Sequence, residues 1–283
     1  MYHTKNTSTV TVGQCTATVI ADSTWNNQRI TTMELVYPRF IHSEFMTHRM
    51  FSRNASSSRA TPVKTLLEEL EEDYAKPSKI FMNKKGMVGD VEATEEVKEL
   101  TYNYWDWAHM CAIIAAKHMA KAGVHKQHIN RLLEPFSFIR VIVTATEWEN
   151  FFKLRLAPDA QPEIQELAQA MKASQEASTP KHTPKHMPYI TWEEEDKYRI
   201  SEVIKVSAAR CARVSYLKHD GTKPNVEDDL RLSDMLLEGG HKTPFEHFAL
   251  YNEKDTFHAN LKGWASARYA LEHELVASYN EWF

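Results

Sequence analysis

The stretch THRMFSRNASSSRA, residues 47–60, decides how the rest of this 283-residue chain is interpreted. It gathers cations and hydroxyls without one carboxylate, although the whole chain has a formal net charge of −4. Arginine can bind an oxyanion through two parallel hydrogen bonds, and such charge-assisted bonds are worth about 1.5–3 kcal/mol each. The stretch is therefore suited to holding a phosphorylated ligand. Composition alone leaves an ordinary solvated basic loop open as the alternative.

The composition is that of a globular protein without membrane spans. Apolar residues make up 42% and charged residues 25%, and no apolar run reaches the roughly 20 residues of a transmembrane helix. We expect no signal peptide, because the amino-terminal segment lacks an apolar core. Three distant cysteines, Cys15, Cys111 and Cys211, favour a reducing cytoplasm over a disulfide framework. The negative net charge argues against broad nucleic-acid binding.

Hydrophobic spacing predicts an α+β fold, with long helices packed around a small, mainly antiparallel sheet. β-branched and aromatic residues predict strands near residues 29–37, 138–145, 199–206 and 246–252. Serine and asparagine, which compete with helix by bonding nearby backbone, predict a loop at 47–60. Helices are expected at 38–46, 62–74, 94–122, 146–155, 160–171, 208–216 and 226–239.

The longest predicted helix, 94–122, carries apolar residues three and four positions apart. The residues at this spacing are Val97, Leu100, Tyr104, Trp107, Cys111, Ile114 and His118. Such a stripe predicts one buried face. We therefore expect Cys111 and His118 to lie in the core and not to serve as reactive or metal-binding groups.

A polar segment, 174–197, holds three prolines and the near-repeat TPKHTPKH at 179–186. Its His182 and His186 raise the question of a metal site, but no partner ligands of fitting type surround them. The composition favours a solvated linker.

Common catalytic signatures are absent from the sequence. It has no G-x-G-x-x-G, Walker-type loop, H-E-x-x-H, C-x-x-C or G-x-S-x-G pattern. Two further candidate stretches remain. Arg155 ends an apolar helix, where it can serve a ligand or simply complement the helix dipole. His241, Glu246 and His247 flank a Pro-Phe turn, where metal binding and ordinary hydrogen-bonded structure are both open, and we predict no metal.

Taken together, these stretches resemble the flavin-dependent thymidylate synthases, the ThyX family. The family signature is R-H-R followed by spaced Ser, Asn, Ser and Arg, and six of its seven points are matched. The matching residues are His48, Arg49, Ser52, Asn54, Ser57 and Arg59. NFFKLRLAPDAQPEI (150–164) is similar to the family's N-F-L-x-L-R-x-x-x-x-A-Q-x-E-I segment, and INRLLEP (129–135) supplies another family arginine. ARCARVSY (209–216) and HKTPFEH (241–247) resemble its A-R-V-S and H-x-T-P-F-E-H blocks.

The order of these blocks resembles a circular permutation. In the familiar members the A-R-V-S and T-P-F-E-H blocks precede R-H-R, whereas here they follow it, as in bacteriophage-encoded relatives. The resemblance implies one intertwined catalytic domain made of two halves, 1–173 and 199–283, joined by the proline-rich linker 174–198. Permutation costs little when the original termini lie close together on the surface.

The resemblance also implies an activity and its cofactors. Members bind FAD within a homotetramer, stack dUMP on the flavin, take a one-carbon unit from methylenetetrahydrofolate, use NADPH as reductant and form dTMP. Substrate binding then falls to Ser57, Ser58, Arg59, Arg131 and Arg155. Ser57 and Arg155 are the implied catalytic residues. For Arg155 the reason is that a fixed cation at the uracil edge can stabilise developing negative charge by about 3 kcal/mol. The implied FAD contacts are His48, Arg49, Asn54, Asn150, His241 and Thr243.

Departures from the family pattern keep alternatives open. Thr47 replaces the first arginine of R-H-R, Ala55 a glutamate and Glu44 a glutamine. The cations that could replace the missing arginine are Arg39, Arg53 and Arg268. One alternative is another flavin- and folate-dependent modification of a pyrimidine deoxynucleotide, such as hydroxymethylation. The other is a nucleotide-binding relative without catalysis.

Overall fold

The computed structural model describes residues 8–214, 225–253 and 255–273. Its strands are β1 (Thr9–Val12), β2 (Cys15–Trp25), β3 (Gln28–Pro38), β4 (Ser52–Ala55), β5 (Phe138–Ala145), β6 (Lys181–His182), β7 (Lys185–His186), β8 (Ala249–Tyr251), β9 (Phe257–His258), β10 (Leu261–Lys262) and β11 (Trp264–Ser266). Its α-helices are α1 (His42–Phe45), α2 (Val63–Glu72), α3 (Glu95–Lys121), α4 (Lys126–Leu133), α5 (Glu149–Arg155), α6 (Pro162–Glu176), α7 (Trp192–Lys197), α8 (Ile200–Ala212), α9 (Val226–Glu238) and α10 (Ala267–Glu272). The predicted α+β class, with helices around mainly antiparallel sheets, is confirmed.

The largest sheet has the strand order β1-β2-β3-β5-β4, with β6 running parallel to β2. A two-residue turn joins β2 to β3, and both of its residues, Asn26 and Asn27, have positive φ. Asparagine tolerates this conformation, which a tight hairpin turn requires. Strands β3 and β5 confirm two of the predicted strands. Strands β1 and β2 were not among the four predicted strands, although the alternating Thr-Val-Thr-Val of β1 and the β-branched residues of β2 fit strand preference.

The cationic motif contributes the edge strand of this sheet. Ser52 pairs with Thr144 of β5, and Asn54 pairs with Ile142. The prediction of a loop throughout 47–60 is therefore wrong for these four residues. Their backbone is held by the β5 ladder, which overrides the local preference of serine and asparagine for turns.

Aromatic side chains form the core beneath the motif. Phe51, which is 3% exposed, has its ring centroid 4.8 Å from that of Trp148 and 5.2 Å from that of Phe151. Phe45 closes the group from α1, 5.9 Å from Phe151. Burying one such ring stabilises the fold by about 1.5–3 kcal/mol. The cluster fixes the motif against α5, which carries Arg155.

The segment predicted as a strand at 199–206 is instead the first half of α8. The Glu202 carboxylate accepts a hydrogen bond from the Arg199 amide at 3.0 Å, which caps the helix start. Val203 and Ile204 are buried, as are Ser207 and Ala208 one helical turn later. The β-branched content suggested a strand, but helical spacing and the alanines that follow decide the structure.

The strand predicted at 246–252 is shorter and lies in another sheet. Residues Thr243–Glu246 form a 3-10 turn, and only β8 is extended. It pairs with β7 and β11 in a three-stranded sheet. Pro244 has no backbone N–H to donate to a neighbouring strand, so the strand begins only after the turn, at Ala249.

The polar segment 174–197 is not solvated throughout, contrary to the sequence-based prediction. Its β6 and β7 pair with β2 and β8, and His186 is fully buried. His182 is exposed and stacks on Trp25 at 4.6 Å. The sequence gives no sign of these contacts, because each strand is only two residues long and follows a proline in a polar segment.

The buried face predicted for the long helix is also wrong. Helix α3 exists, but Leu100, Tyr104 and Trp107 are 55%, 63% and 58% exposed. Cys111 and His118 are exposed as well, so they do not lie in the core. The residues of α3 that pack against α2 and α4 are Ala112, Ile113 and Ala116. Within the described ranges, every helix is too short or too polar to cross a membrane.

Candidate active site

The cationic motif is shaped by its own backbone. Helix α1 ends just before it, and Thr47 Oγ1 donates to the Glu44 carbonyl at 2.7 Å. Arg53 Nη1 donates to the carbonyls of Met46 at 2.7 Å and His48 at 3.2 Å. Arg53 therefore holds the turn in place, and its guanidinium is partly used by the protein itself.

Arg155 and His48 form the centre of the first group of predicted residues. Arg155 Nε donates to His48 Nε2 at 2.8 Å, and its Nη2 donates to Thr47 Oγ1 at 3.2 Å. Arginine is always a donor, so His48 accepts at Nε2 and is neutral, with its proton on Nδ1. Burial, aided by Arg155 and Arg53, lowers the pKa of His48 to about 4. These contacts use two of the five guanidinium donors and leave the others for an anionic ligand.

Ser58 and Arg131 meet in the second group. Ser58 Oγ donates to Glu134 Oε1 at 2.6 Å, and Arg131 Nη1 donates to both oxygens of Glu134 at 2.9 and 3.2 Å. Asn130 Nδ2 donates to the Ser58 carbonyl at 2.7 Å, so helix α4 anchors the loop that carries Ser57 and Ser58. The structure thus brings predicted phosphate-binding residues together, around one carboxylate.

The charge of the second group remains positive. Arg59 is exposed and makes no ion pair among the described residues, while Arg131 is 61% exposed at its side chain. Arg39 lies close by, with Nε donating to Ser137 Oγ at 3.0 Å. Arg131 and Arg39 therefore share the single negative charge of Glu134, and Arg59 adds a further cation in the same motif. Such a cluster can bind a phosphate at the surface.

The predicted flavin contacts are less uniform. Arg49, Asn150 and His241 are exposed and have no side-chain hydrogen bond within the described ranges. Thr243 is half-buried at the start of the 3-10 turn. Asn54 differs, because its Nδ2 donates to the Cys211 carbonyl at 2.8 Å. Its amide oxygen and the second N–H of Nδ2 remain for a ligand.

The T-P-F-E-H block does not gather a metal site. Arg268 Nη1 donates to Glu246 Oε1 at 2.6 Å, and burial raises the pKa of this glutamate although Arg268 opposes the change. His241 is exposed, whereas His247 is buried and faces β5. In the part of the chain that the structure describes, no three His, Cys, Asp or Glu side chains are grouped to hold a metal ion. Arg268 is thus already paired, as is Arg53 with its carbonyls.

A buried hydrogen-bond chain connects side chains that the sequence does not identify as partners. His186 Nδ1 lies 2.9 Å from Ser23 Oγ, and its Nε2 lies 2.7 Å from Thr32 Oγ1. Thr144 Oγ1 continues the chain, 2.6 Å from Thr32 Oγ1 and 2.8 Å from His247 Nδ1. Burial lowers the pKa of both histidines to about 3. The chain is therefore neutral and links the polar segment to the T-P-F-E-H block, a link that no local sequence signal reveals.

The fold and these side chains define an α+β protein with a cationic site suited to an anionic small molecule. The model of the family described as "Thymidylate synthase complementing protein", Thy1, matches residues 22–181. Because this match spans more than half of the chain, the protein belongs to that family. The resemblance inferred from the motifs is confirmed.

Solved structures show more distant similarity. A crystal structure of a UMP/dUMP methylase, PolB from Streptomyces cacaoi, bound with 5-Br dUMP has 18% identity and a TM-score of 0.43, covering 53% of this chain and 71% of that one. The same methylase bound with 5-Br UMP has 15% identity and a TM-score of 0.46, covering 58% and 92%. No curated protein sequence matches this chain.

The family match also bears on the predicted halves. It includes the cationic motif, Arg131 and Arg155, but it ends at residue 181. The A-R-V-S and T-P-F-E-H blocks lie beyond it, and residues 215 and 216 of the first block lie outside the described residues. The permuted order and the three-part division of the chain stay predictions.

Proposed function

We propose that the protein methylates dUMP to dTMP, with FAD as cofactor, methylenetetrahydrofolate as one-carbon donor and NADPH as reductant. Family membership supports a dUMP-modifying enzyme of the flavin-dependent type. The observation that carries the finer proposal is the bond between Arg155 and a neutral His48, next to a motif that also presents Ser57, Ser58 and Arg59.

The residues present fit a flavin dinucleotide. Arg49 and Asn150 offer exposed donors without competing partners among the described residues, as a diphosphate and a ring edge require. His241 and Thr243 add polar groups on the other half of the chain. When bound, the flavin supplies the redox chemistry, which no side chain can provide. The cysteines fit this assignment, since burial raises the pKa values of Cys15 and Cys211 far above neutrality and leaves them unreactive.

Arg155 is the residue we assign to charge stabilisation. His48 fixes the plane of its guanidinium through Nε, and because the imidazole is neutral it does not cancel the positive charge. A carboxylate in the same place would do so. The remaining donors can then face negative charge that develops on the pyrimidine ring, an effect worth about 3 kcal/mol when the donor is preorganised.

Phosphate binding is assigned to the second group. Arg59 and Arg131 provide charge, and Ser57 and Ser58 provide hydroxyls. Glu134 now occupies the donors of Ser58 and Arg131. We infer that the substrate phosphate takes these donors over, which makes Glu134 a competitor that weakens binding.

Among the described residues, no hydrogen bond or ion pair joins the group of Thr47, His48 and Arg155 to the group of Ser58, Arg131 and Glu134. We therefore include a homotetramer in the proposal, because a neighbouring protomer can supply one group to the other. The proposal also places the protein in a reducing cytoplasm, because Cys15, Cys111 and Cys211 form no disulfide.

The test is an assay of the purified protein with its reconstituted cofactor. We expect a yellow protein whose visible spectrum changes on addition of dUMP, and mass spectrometry should detect dTMP when methylenetetrahydrofolate and NADPH are present. Absence of any product from dUMP would refute the proposal. A colourless protein that binds nucleotide without turnover would support the inactive relative instead.

One observation favours a second candidate, the modification of another pyrimidine deoxynucleotide. Thr47 stands where the signature has an arginine, and it binds Arg155 directly at 3.2 Å. The site therefore has one cation fewer and one more hydroxyl beside the group assigned to the base. Parallel assays with dUMP and dCMP, with product masses measured for methyl and hydroxymethyl additions, distinguish the two.

A further inference from the structure

Helix α3 presents a second apolar face to solvent. Its large side chains on this face are between 49% and 63% exposed: Leu100, Tyr104, Trp107, Met110 and Ile114. The opposite face already packs against α2 and α4. Single exposed apolar residues are normal on a protein surface, but a contiguous row of this kind marks an interaction site.

The spacing of this row identifies the type of contact. Leu100, Tyr104, Trp107, Cys111 and Ile114 follow one another at intervals of four, three, four and three residues. This seven-residue repeat is the pattern by which two helices pack side by side. At 27 residues and about 1.5 Å per residue, α3 is long enough to offer a partner helix about 40 Å of contact.

The charges at the two ends identify the partner and its direction. The first turns of α3 carry exposed Glu95, Glu96 and Glu99, of which Glu95 pairs with Lys98, and its last turn carries exposed Lys121. Lys117 is also exposed, although it pairs with Glu71 of α2. A second copy of α3 in antiparallel orientation places each acidic end beside a basic end. A parallel copy would place like charges together, which is destabilising.

We propose that two copies of this chain associate through antiparallel α3 helices, with the two-fold axis near Trp107. The helix dipoles then also oppose one another favourably. In this register Tyr104 of one copy lies opposite Cys111 of the other, because the axis falls midway between these two positions, next to Trp107. The inference rests on the α3 surface alone and does not depend on the proposed reaction.

The register is tested by disulfide trapping in the full-length protein. We expect Tyr104→Cys to form a covalent dimer under mild oxidation, since a thiol at this position faces Cys111 of the second copy within disulfide range. The wild-type protein should not cross-link, because its two Cys111 residues lie on opposite sides of the axis. Cys15 and Cys211 are buried and do not compete.

Two matched controls distinguish cross-linking between packed α3 helices from cross-linking by random collision. Tyr104→Cys combined with Cys111→Ser should give no covalent dimer. Met235→Cys places a thiol at a similarly exposed apolar position, 58% against 63%, on α9, and it should not cross-link to Cys111. Cross-linking of the wild type through Cys111 would overturn this register, because identical residues meet only in parallel helices or at the two-fold axis, which the proposal places near Trp107.

A second measurement does not need a disulfide. Trp107→Glu places two carboxylates at the axis, and we expect at least a tenfold weaker dimer in analytical ultracentrifugation, with an unchanged circular dichroism spectrum. A wild-type protein that remains monomeric at all concentrations, or a variant that keeps the dimer at full strength, would overturn the proposal. If Trp107→Glu keeps both its assembly and its turnover of dUMP, this inference fails while the proposed reaction stands.

Discussion

At the residue scale, the candidate site depends on the protonation and charge of a few side chains. His48 is neutral because Arg155 occupies its Nε2 with a donor. Glu134 holds the donors of Ser58 and Arg131 in the absence of substrate. The contact with neutral His48 therefore leaves the positive charge of Arg155 intact, whereas the contact with Glu134 reduces the positive charge that Arg131 offers to a ligand. Each leads to a distinct expectation for a conservative substitution.

Arg155→Ala tests the preserved charge. We expect kcat with dUMP to fall about 100-fold, since loss of a preorganised cation costs about 3 kcal/mol at the transition state. Flavin content should stay near that of the wild type, because Arg155 is not among the assigned flavin contacts. Absorbance per protein and steady-state rates measure the two quantities. Equal losses of flavin and rate would remove Arg155 from its assigned place.

Glu134→Gln tests the competing carboxylate. The amide keeps an acceptor for Ser58 but removes the negative charge, so Arg131 becomes free for a phosphate. We expect dUMP to bind severalfold more tightly in calorimetric titration, as one charge-assisted contact is worth about 1.5–3 kcal/mol before competition. Deoxyuridine, which lacks the phosphate, is the control ligand and should show no gain. Equal tightening for both ligands would contradict the phosphate assignment.

The pH dependence of stability follows from the lowered histidine pKa values. His186 and His247 have pKa values of about 3, and His48 about 4, against 6.5 when unfolded. The unfolded chain therefore binds protons first as the pH falls. The stabilisation is fully present above pH 6.5 and is lost progressively toward pH 4 and below. Urea unfolding at pH 7, 6 and 5 should show a falling midpoint, and a constant midpoint would contradict these shifts.

At the element scale, the buried hydrogen-bond chain connects strands that the sequence presents separately. Thr32 and Thr144 face each other across β3 and β5, and His186 and His247 extend the chain into the smaller sheet. The β-branched residues of β3 and β5 predict these two strands. They do not predict the pairing with His186, because β7 has two residues and its partner is set by tertiary contacts.

Thr32→Val tests this chain. The substitution keeps the shape of the side chain but leaves His186 Nε2 and Thr144 Oγ1 without their shared partner in the interior. We expect the free energy of unfolding to fall by about 1–3 kcal/mol, the cost of stranding a buried polar group. Thr18→Val is the control, since its hydroxyl pairs with Thr9 at the exposed edge at 3.0 Å. A similar small loss for both variants would show that the buried chain adds nothing.

The same scale shows where local patterns mislead. The apolar stripe of α3 and the β-branched run of α8 are real features of the sequence. However, α3 has two faces that can pack, and small residues let α2 and α4 approach the less apolar one. In α8, helical spacing overrides the strand preference of valine and isoleucine. The Arg155–His48 bond joins residues more than a hundred positions apart, so only the family motifs could suggest that both belong to one site.

At the scale of the whole molecule, contacts join the two predicted halves at several places. Asn54 binds the Cys211 carbonyl, and Asn260 Nδ2 donates to the Met50 carbonyl at 3.0 Å. Tyr189 of the linker also donates to Glu34 Oε2, at 2.7 Å. Residues beyond the family match therefore hold the motif in place through hydrogen bonds. This arrangement favours the prediction of one intertwined domain.

Asp229→Asn tests whether the halves unfold together. Asp229 is fully buried and accepts hydrogen bonds from Arg210 Nε at 2.9 Å and Arg213 Nη2 at 2.6 Å. Its loss leaves buried Arg210 with only Glu194 as a carboxylate partner among the described residues, and we expect a destabilisation of about 3 kcal/mol. Asp234→Asn is the control, because its exposed pair with Lys205 is worth less than about 1 kcal/mol.

Calorimetry of the full chain gives the decisive comparison. If the halves form one cooperative unit, the wild type shows a single transition, and Asp229→Asn moves that whole transition to lower temperature. The reason is that Arg210 also donates to the Tyr189 carbonyl at 2.6 Å, so a disturbance in α8 reaches Glu34 of the large sheet through Tyr189. Two transitions, of which the variant shifts only one, would mean that residues 199–283 fold independently of the cationic motif.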